Sequence, residues 1–413
     1  MVTGDVVGLD LSCGLLQDNI PSNSSLFLLP HLRNLNLSFN DFNYSRIPSE
    51  FGLLSNLTRL DLSSSSFSGQ VPFEISRLSK LVYLDISENH SLRLETPVVE
   101  GELQVLNLRG NSQLAGSFPK VNWSNALSVL DVSSAGFSGE LLYSIGNLKS
   151  LRYLLLSSNN FSGSISSSLS NLKQLIELDL SRNNFIGQIP NMFTNLTHLS
   201  SLDFSHNQLV GPIPSDVSGL QNLTTINLSY NRLHGPIPSS IFKLVNLTQF
   251  ELSSNNLSGT LDPYMFAKLK SLKRLNVSHN SLSLSTAVEF DTSLEEILRN
   301  QNNLRWLDLS DNKIHGHVPN WIPETVGKLI SLKILNFSRN NLTGFIPSFL
   351  KNLMELESLD LSWNELDGKI PTELTSLTYL SVLELTGKEL KNGIFKMICG
   401  DVMLWKQHFL CSA

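Results

Sequence analysis

His315, Gly316 and His317 set two imidazoles two residues apart, a spacing from which one metal ion could be held. No cysteine or carboxylate stands at ligand spacing beside them, so a solvated turn is the expectation, and no metal site is assigned. His206 and His279 occupy the same column of the periodic pattern described below, but three copies apart. At the ordinary strand separation that is about 14 Å, too far to share an ion. Phosphate-cradling GxGxxG, nucleophile-bearing GxSxG and kinase-type HRD signatures are all absent. The expectation is a protein with no catalytic residues and no cofactor.

The three cysteines, Cys13, Cys399 and Cys411, form no CxxC pair and are odd in number, so at least one stays unpaired within the chain. Cys399 and Cys411 could join, but nothing in their spacing requires it, and the disulfide state of all three stays open. The 413 residues are 41% hydrophobic and 16% charged, with a net charge of -6 and no basic run. Binding to a phosphate backbone needs clustered Lys and Arg, so nucleic acid is excluded as a partner. No apolar run reaches the ~18 to 20 residues of a membrane span, and the first residues show neither the basic nor the apolar part of an export signal.

What positions these residues is a repeat. In Leu175 to Pro190, LIELDLSRNNFIGQIP, leucines take the first, fourth and sixth places, Asn183 the ninth, Phe185 the eleventh, Gly187 the thirteenth and Pro190 the sixteenth. The next copy starts at Leu199. Val6, Leu32, Leu57, Leu81, Leu103, Leu127, Leu151, Leu175, Leu199, Leu223, Leu247, Leu272, Leu304, Leu332, Leu356 and Leu380 open sixteen copies, most of them twenty-four residues apart. A single globular core stops growing at about 250 to 300 residues, so a chain of this length and uniform composition is expected to be a stack. Each copy predicts a short strand with its leucines on one side, then a turn at the asparagine, then a second short strand before the proline.

At the ninth place stand Asn40, Asn89, Asn111, Asn159, Asn183, Asn207, Asn231, Asn255, Asn280, Asn312, Asn340 and Asn364, interrupted by Ser65, Ala135 and Lys388. A buried carboxamide can serve backbone groups of its own and the adjacent copy, which predicts a structural ladder through Asn159, Asn183, Asn207, Asn231 and Asn255. Gly187, Gly211, Gly235, Gly316, Gly344 and Gly368 suit a positive-φ bend ahead of the prolines.

The phrase LxxLxLxxNxLxGxIP at a period of twenty-four resembles the plant-specific leucine-rich repeat over about Val6 to Leu385. GLDLSC near the start, NQNNLRWLDLSDNKIHG in the middle and IPETVGKLISLKILNFSRNNLTG later resemble the ectodomains of plant receptor-like proteins. The resemblance implies an α/β solenoid, a right-handed superhelix or horseshoe with a parallel sheet on its concave face. It also implies plasma-membrane or cell-surface placement, an extracellular peptide or protein ligand, signalling through a partner co-receptor or adaptor kinase, and a role in defence.

Departures from that family are expected at both ends. A cysteine-bearing cap would precede Met1-Val2-Thr3-Gly4, and residues 386–413 match neither a repeat nor the family's C-terminal cap and span, so 1–385 is read as the solenoid and 386–413 as a tail. The tail's apolar residues, Ile394 to Trp405, could cover the last copy. Two irregular stretches lie at 281–303 and 319–331. The first contains SLEEILRNQNN, whose Leu294, Ile297 and Leu298 are spaced for a short helix. In the second, Pro319 is in register with Leu304 and Pro323 with Leu332, which suggests a join between halves of two copies between Trp321 and Glu324.

Recognition would fall on the sheet face. The fifth place is polar, with Asp61, Asp85, Asp131, Asp179, Asp203, Glu251, Asp308, Asp360 and Glu384 alternating with asparagines. An acidic, solvent-facing stripe able to steer a basic peptide is one reading, and a simple preference of the motif is the other. At places the motif leaves free stand Arg152, Tyr153, Glu177, Arg182, His206, Tyr230, Arg274, His279, Trp306, Arg339 and Trp363, rich in the types that dominate protein interfaces. These are the candidate ligand-binding residues.

Fifteen Asn-x-Ser/Thr signals suit an exported glycoprotein: Asn23, Asn36, Asn43, Asn56, Asn89, Asn122, Asn160, Asn195, Asn222, Asn227, Asn246, Asn256, Asn276, Asn336 and Asn341. Sugar at Asn36, Asn227, Asn276 and Asn336 would cover the sheet face. Two alternatives to a receptor fragment stay open: a secreted inhibitor of a microbial cell-wall hydrolase, similar to polygalacturonase-inhibiting proteins, and a truncated product without function.

Overall fold

Leucines at the fourth and sixth places flank one outward residue, which is the pattern of a strand buried on one side. The computed structural model describes residues 4–94, 101–114, 116–117, 125–262, 266, 268–284, 303–318 and 331–385. Two compact units are present: Met1–Leu209 with Ser218–Leu220, and Val210–Val217 with Gln221–Ala413. The first carries parallel three-residue strands from Gly8–Asp10 to Ser201–Asp203, and the second from Thr225–Asn227 to Val382–Glu384.

Within each unit the strands pair at identical places of the motif. Tyr153 lies opposite Glu177, Leu154 opposite Leu178, and Leu155 opposite Asp179. Equal register stacks leucine on leucine, and Leu154, Leu156, Leu178 and Leu180 are fully buried. Each such side chain contributes about 1.5–3 kcal/mol by leaving water. Register survives the irregular copy: Arg274 still faces Trp306 and Leu275 still faces Leu307. Extra residues there are taken up outside the paired strands.

The ninth-place amides tie the copies together. Asn159 Nδ2 donates to Val132 O (2.8 Å) in the copy before and to Leu156 O (3.0 Å) and Ser157 O (3.1 Å) in its own. Its Oδ1 accepts from the backbone N–H of Ala135 (3.2 Å) and Phe137 (2.9 Å). Asn183 repeats the arrangement on Leu156 O, Leu180 O and Ser181 O, and Asn207 on Leu180 O, Phe204 O and Ser205 O. In the second unit Asn231 serves Leu228 O and Ser229 O, and Asn255 serves Leu228 O, Leu252 O and Ser253 O. Where serine interrupts the column, Ser65 Oγ still donates to Leu37 O (2.8 Å) or Ser63 O (2.9 Å).

Past the asparagine, short second strands pair in parallel. Phe137–Glu140, Asn160–Ser164 and Asn184–Gln188 do so in the first unit, and Asn256–Leu261 with Ser281–Leu284, and His315–His317 with Asn341–Phe345, in the second. Gly163 at φ 75° shows why glycine is used here, since a Cβ would sit 2.8 Å from Glu140 Cγ. Phe161 and Phe185 fill the interior beneath these strands with nearly parallel rings, 6.3 Å between centroids.

The return path is 3-10 helix, as in Ser239–Lys243 and Ser348–Asn352, each entered from a proline, Pro238 and Pro347. Few residues of a 24-residue copy remain for the return, enough for one tight turn with i to i+3 bonds such as Leu244 N to Ile241 O at 3.0 Å. No helix among the described residues is long and apolar enough to cross a membrane. The tail 386–413 with Cys399, Cys411 and Lys388, the join at Trp321 to Glu324, Asn122, and all of the helix read in SLEEILRNQNN except Asn303 lie outside the described residues.

Candidate recognition surface

On each strand the third and fifth places point away from the leucines, and the chain then bends so that the eighth place also faces outward. Wherever the fifth place is Asp or Asn, the bend has one construction. A fifth-place Asp or Asn accepts the N–H of the seventh-place residue through Oδ1, as Asp179 does from Ser181 (2.9 Å), Asp203 from Ser205 (2.8 Å) and Asp308 from Ser310 (3.0 Å). The eighth place then adopts left-handed backbone, from Phe39 (φ 56°) through Arg182, His206, Tyr230, His279 and Arg339 to Trp363 (φ 55°).

That construction corrects the expected acidic stripe at three of its five places in the first unit. Asp61, Asp85 and Asp131 are only 8%, 7% and 8% exposed. Their carboxylates hold the turn instead of facing solvent. Asp61 Oδ1 takes both the N–H and the hydroxyl of Ser63, and Asp85 Oδ1 both of Ser87. Burial raises the pKa of Asp131 in spite of its bonds from Ser133.

The candidates fall in separate groups. In the first unit Tyr153 and Glu177 are lateral neighbours, Arg182 and Arg152 are exposed, and Arg152 stands at the second place, beside the strand. Glu177 has its pKa raised by burial and then by the charges of Asp179 and Asp131. His206 has its pKa lowered, first by burial and then by Arg182.

In the second unit the Arg274 guanidinium lies 4.0 Å from the Trp306 ring centroid and its Nε donates to Glu251 Oε1. Burial nevertheless leaves the Glu251 pKa raised. His279 Nδ1 meets Asp311 Oδ2 at 2.6 Å, and the Arg339 guanidinium lies 5.7 Å from the Trp363 ring. Tyr230 and Trp363 are 52% and 49% exposed. Trp306 Nε1 is enclosed, without a hydrogen-bond acceptor among the described residues.

Residues 108–322 match the family described as Leucine-rich repeat region, and 56–78, 331–353 and 355–377 match the Leucine Rich Repeat. The chain belongs to the leucine-rich repeat family. Receptor-like protein 6 of Arabidopsis thaliana is 32% identical over a match covering 37% of this chain and 21% of the relative. The plant peptide hormone receptor RGFR1, solved in complex with RGF2, is 29% identical with a TM-score of 0.70, covering 90% of this chain and 65% of that one. The Arabidopsis receptor kinase HAESA, solved with the peptide hormone IDA and the co-receptor SERK1, is 31% identical with a TM-score of 0.71, covering 93% and 66%. The match thus spans about a fifth of that curated relative and about two thirds of each solved chain.

Sequence reasoning missed part of the leucine-rich repeat face. Arg59 lies 3.5 Å from the centroid of Tyr83, whose hydroxyl donates to Asp85 Oδ2 at 3.1 Å, and burial followed by Asp85 and Asp61 pushes the Tyr83 pKa up to about 12. Both residues stand at the third place of consecutive copies, a signal that the repeat alignment already held. Asp311, the partner of His279, belongs to this face too, at the eighth place of the next copy. His315 is exposed, with Nδ1 on Lys313 O at 3.3 Å, and His317 Nδ1 meets Thr343 O at 3.3 Å. Among the described residues no three His, Cys, Asp or Glu side chains gather in a way that could hold a metal.

Proposed function

We propose that this chain is the ligand-recognising part of an extracellular plant receptor-like protein, binding a peptide or protein on the strand face of its second unit. The observation that carries the reading is the half-buried Trp306, whose indole lies under the Arg274 guanidinium on that face. Trp and Arg are also the types that concentrate binding energy at interfaces. Peptide complexes of RGFR1 and HAESA support the same reading.

Signalling would pass to a partner kinase, and a defence role and cell-surface placement are part of the proposal. So is the partition into a solenoid over residues 1–385 and a tail over 386–413. The chain recognises its ligand without transforming it. The test is selection of a displayed random-peptide library on the full chain, followed by binding of enriched peptides to Trp306→Ala and Trp363→Ala. Loss of about tenfold or more in affinity in Trp306→Ala supports the proposal. No enrichment, or binding unchanged in both variants, overturns it.

A further inference from the structure

Asn-x-Ser/Thr signals recur because the repeat itself writes them, and the hydrogen bonds sort them into different kinds. Asn89 is 1% exposed; its Nδ2 donates to Leu62 O, Ile86 O and Ser87 O, and its Oδ1 accepts from Ser65 and Phe67. A sugar would replace one of the two Nδ2 hydrogens and stand inside the stack. A chain modified there cannot close this turn.

Fifth-place asparagines are half-buried between flanking strands and held through Oδ1. Asn276 Oδ1 accepts the N–H (3.1 Å) and hydroxyl (2.7 Å) of Ser278, the same serine that completes its signal. On the sheet Asn276 stands between Glu251 and Asp308 of the flanking strands. Asn36 likewise takes both donors of Ser38 and stands between Asp10 and Asp61, and Asn336 takes the N–H of Ser338 while its Nδ2 reaches Asp308 Oδ2 at 3.5 Å. At this place the motif Asn-x-Ser is a turn device.

The tenth place differs. Asn160, Asn256 and Asn341 each open a second strand, Asn160–Ser164, Asn256–Leu261 and Asn341–Phe345, and all three are exposed. None of their Nδ2 atoms donates a hydrogen bond among the described residues; Asn160 only accepts, through Oδ1 from Asn184 Nδ2 at 3.5 Å. They follow the ladder asparagines Asn159, Asn255 and Asn340 directly, of which Asn159 and Asn340 are buried and Asn255 half-buried, so one amide of each pair faces in and the next faces out.

We propose that Asn160, Asn256 and Asn341 carry N-linked oligosaccharide while Asn89 and the fifth-place asparagines stay bare, so that sugar lines the second-strand flank and leaves the strand face open. The donor is a polyprenyl diphosphate-linked oligosaccharide. Its anomeric C–O bond to phosphate breaks, a C–N bond to Nδ2 forms, the lipid diphosphate leaves, and Nδ2 gives up one proton. Transfer precedes folding, so the fold acts as a filter on which modified chains become soluble. The proposal rests on the extracellular reading to the extent that the chain must meet this donor.

The test therefore directs the full chain into the secretory route of plant cells with an added leader, separating site choice from native export. Soluble product is treated with a peptide N-glycosidase in heavy-oxygen water, which marks each formerly glycosylated asparagine, and is mapped by mass spectrometry. Label at Asn160, Asn256 and Asn341 and none at Asn89, Asn36, Asn276 or Asn336 is expected. Ser162→Ala, Ser258→Ala and Thr343→Ala should each remove one glycan. Asn160→Gln combined with Ile186→Thr should move a glycan one copy along to Asn184, whose own neighbour Ile186 is 49% exposed and spoils the signal. Label at Asn89 or the fifth place in soluble protein, unlabelled tenth-place residues, or no gain at Asn184 overturns the proposal.

Discussion

Arg274 and Trp306 are lateral partners on adjacent strands, and the guanidinium lies 4.0 Å from the indole centroid while its Nε is held by Glu251. The contact exists only because register is kept across the longest copy in the chain. Half-buried cation–π pairs contribute about 0.5–1 kcal/mol or more. A double-mutant cycle of Arg274→Ala and Trp306→Ala in urea should give a coupling of that size, and additive effects would show that the two side chains are neighbours without attraction.

The amide column supplies a second prediction. Asn207 Nδ2 serves Leu180 O, Phe204 O and Ser205 O, and Oδ1 takes the Phe185 N–H at 3.0 Å. Leucine has similar bulk and none of these groups, so Asn207→Leu leaves buried backbone donors and acceptors unpaired at about 1–3 kcal/mol. Chemical denaturation monitored by circular dichroism reads this directly. An unchanged midpoint would mean that water reaches the turn.

The leucine spacing and the ninth-place asparagines were legible because period and polarity act locally: every copy faces the same packing problem and answers it with the same residues. The fifth place was harder to read. An aspartate between two leucines looks solvent-facing by alternation alone, yet Asp61, Asp85 and Asp131 turn back to serines two residues on, a bond that alternation does not encode. Contacts such as Arg59 on Tyr83 depend on which residues share a place in neighbouring copies. They become visible only when the copies are aligned against one another.

Left-handed backbone at the eighth place gives a third prediction. Ser254 sits at φ 56°, where a β-carbon is unfavourable by about 1–2 kcal/mol and a β-branched one fares worse. Asparagine and glycine tolerate the conformation. Ser254→Asn should raise the melting temperature, and Ser254→Val should lower the unfolding free energy by roughly 1–2 kcal/mol in denaturant titrations. The reverse ranking would show that the turn is set by neighbouring copies regardless of residue type.

Glu177 ties stability to pH. Burial raises its folded-state pKa above the ordinary 4.5, and Asp179 and Asp131 push it the same way, so the folded state holds this proton more tightly than the unfolded chain does. The stability contributed is therefore fully present below pH 4.5 and is lost as pH rises through the raised folded value. Asp131, raised by burial, adds in the same direction. Glu177→Gln never carries the charge, so it should melt above the parent protein at pH 7, and the two melting curves should converge below pH 4.5. A variant that melts at or below the parent at pH 7 would mean that Glu177 gains more from a partner on the strand face than it loses by leaving water.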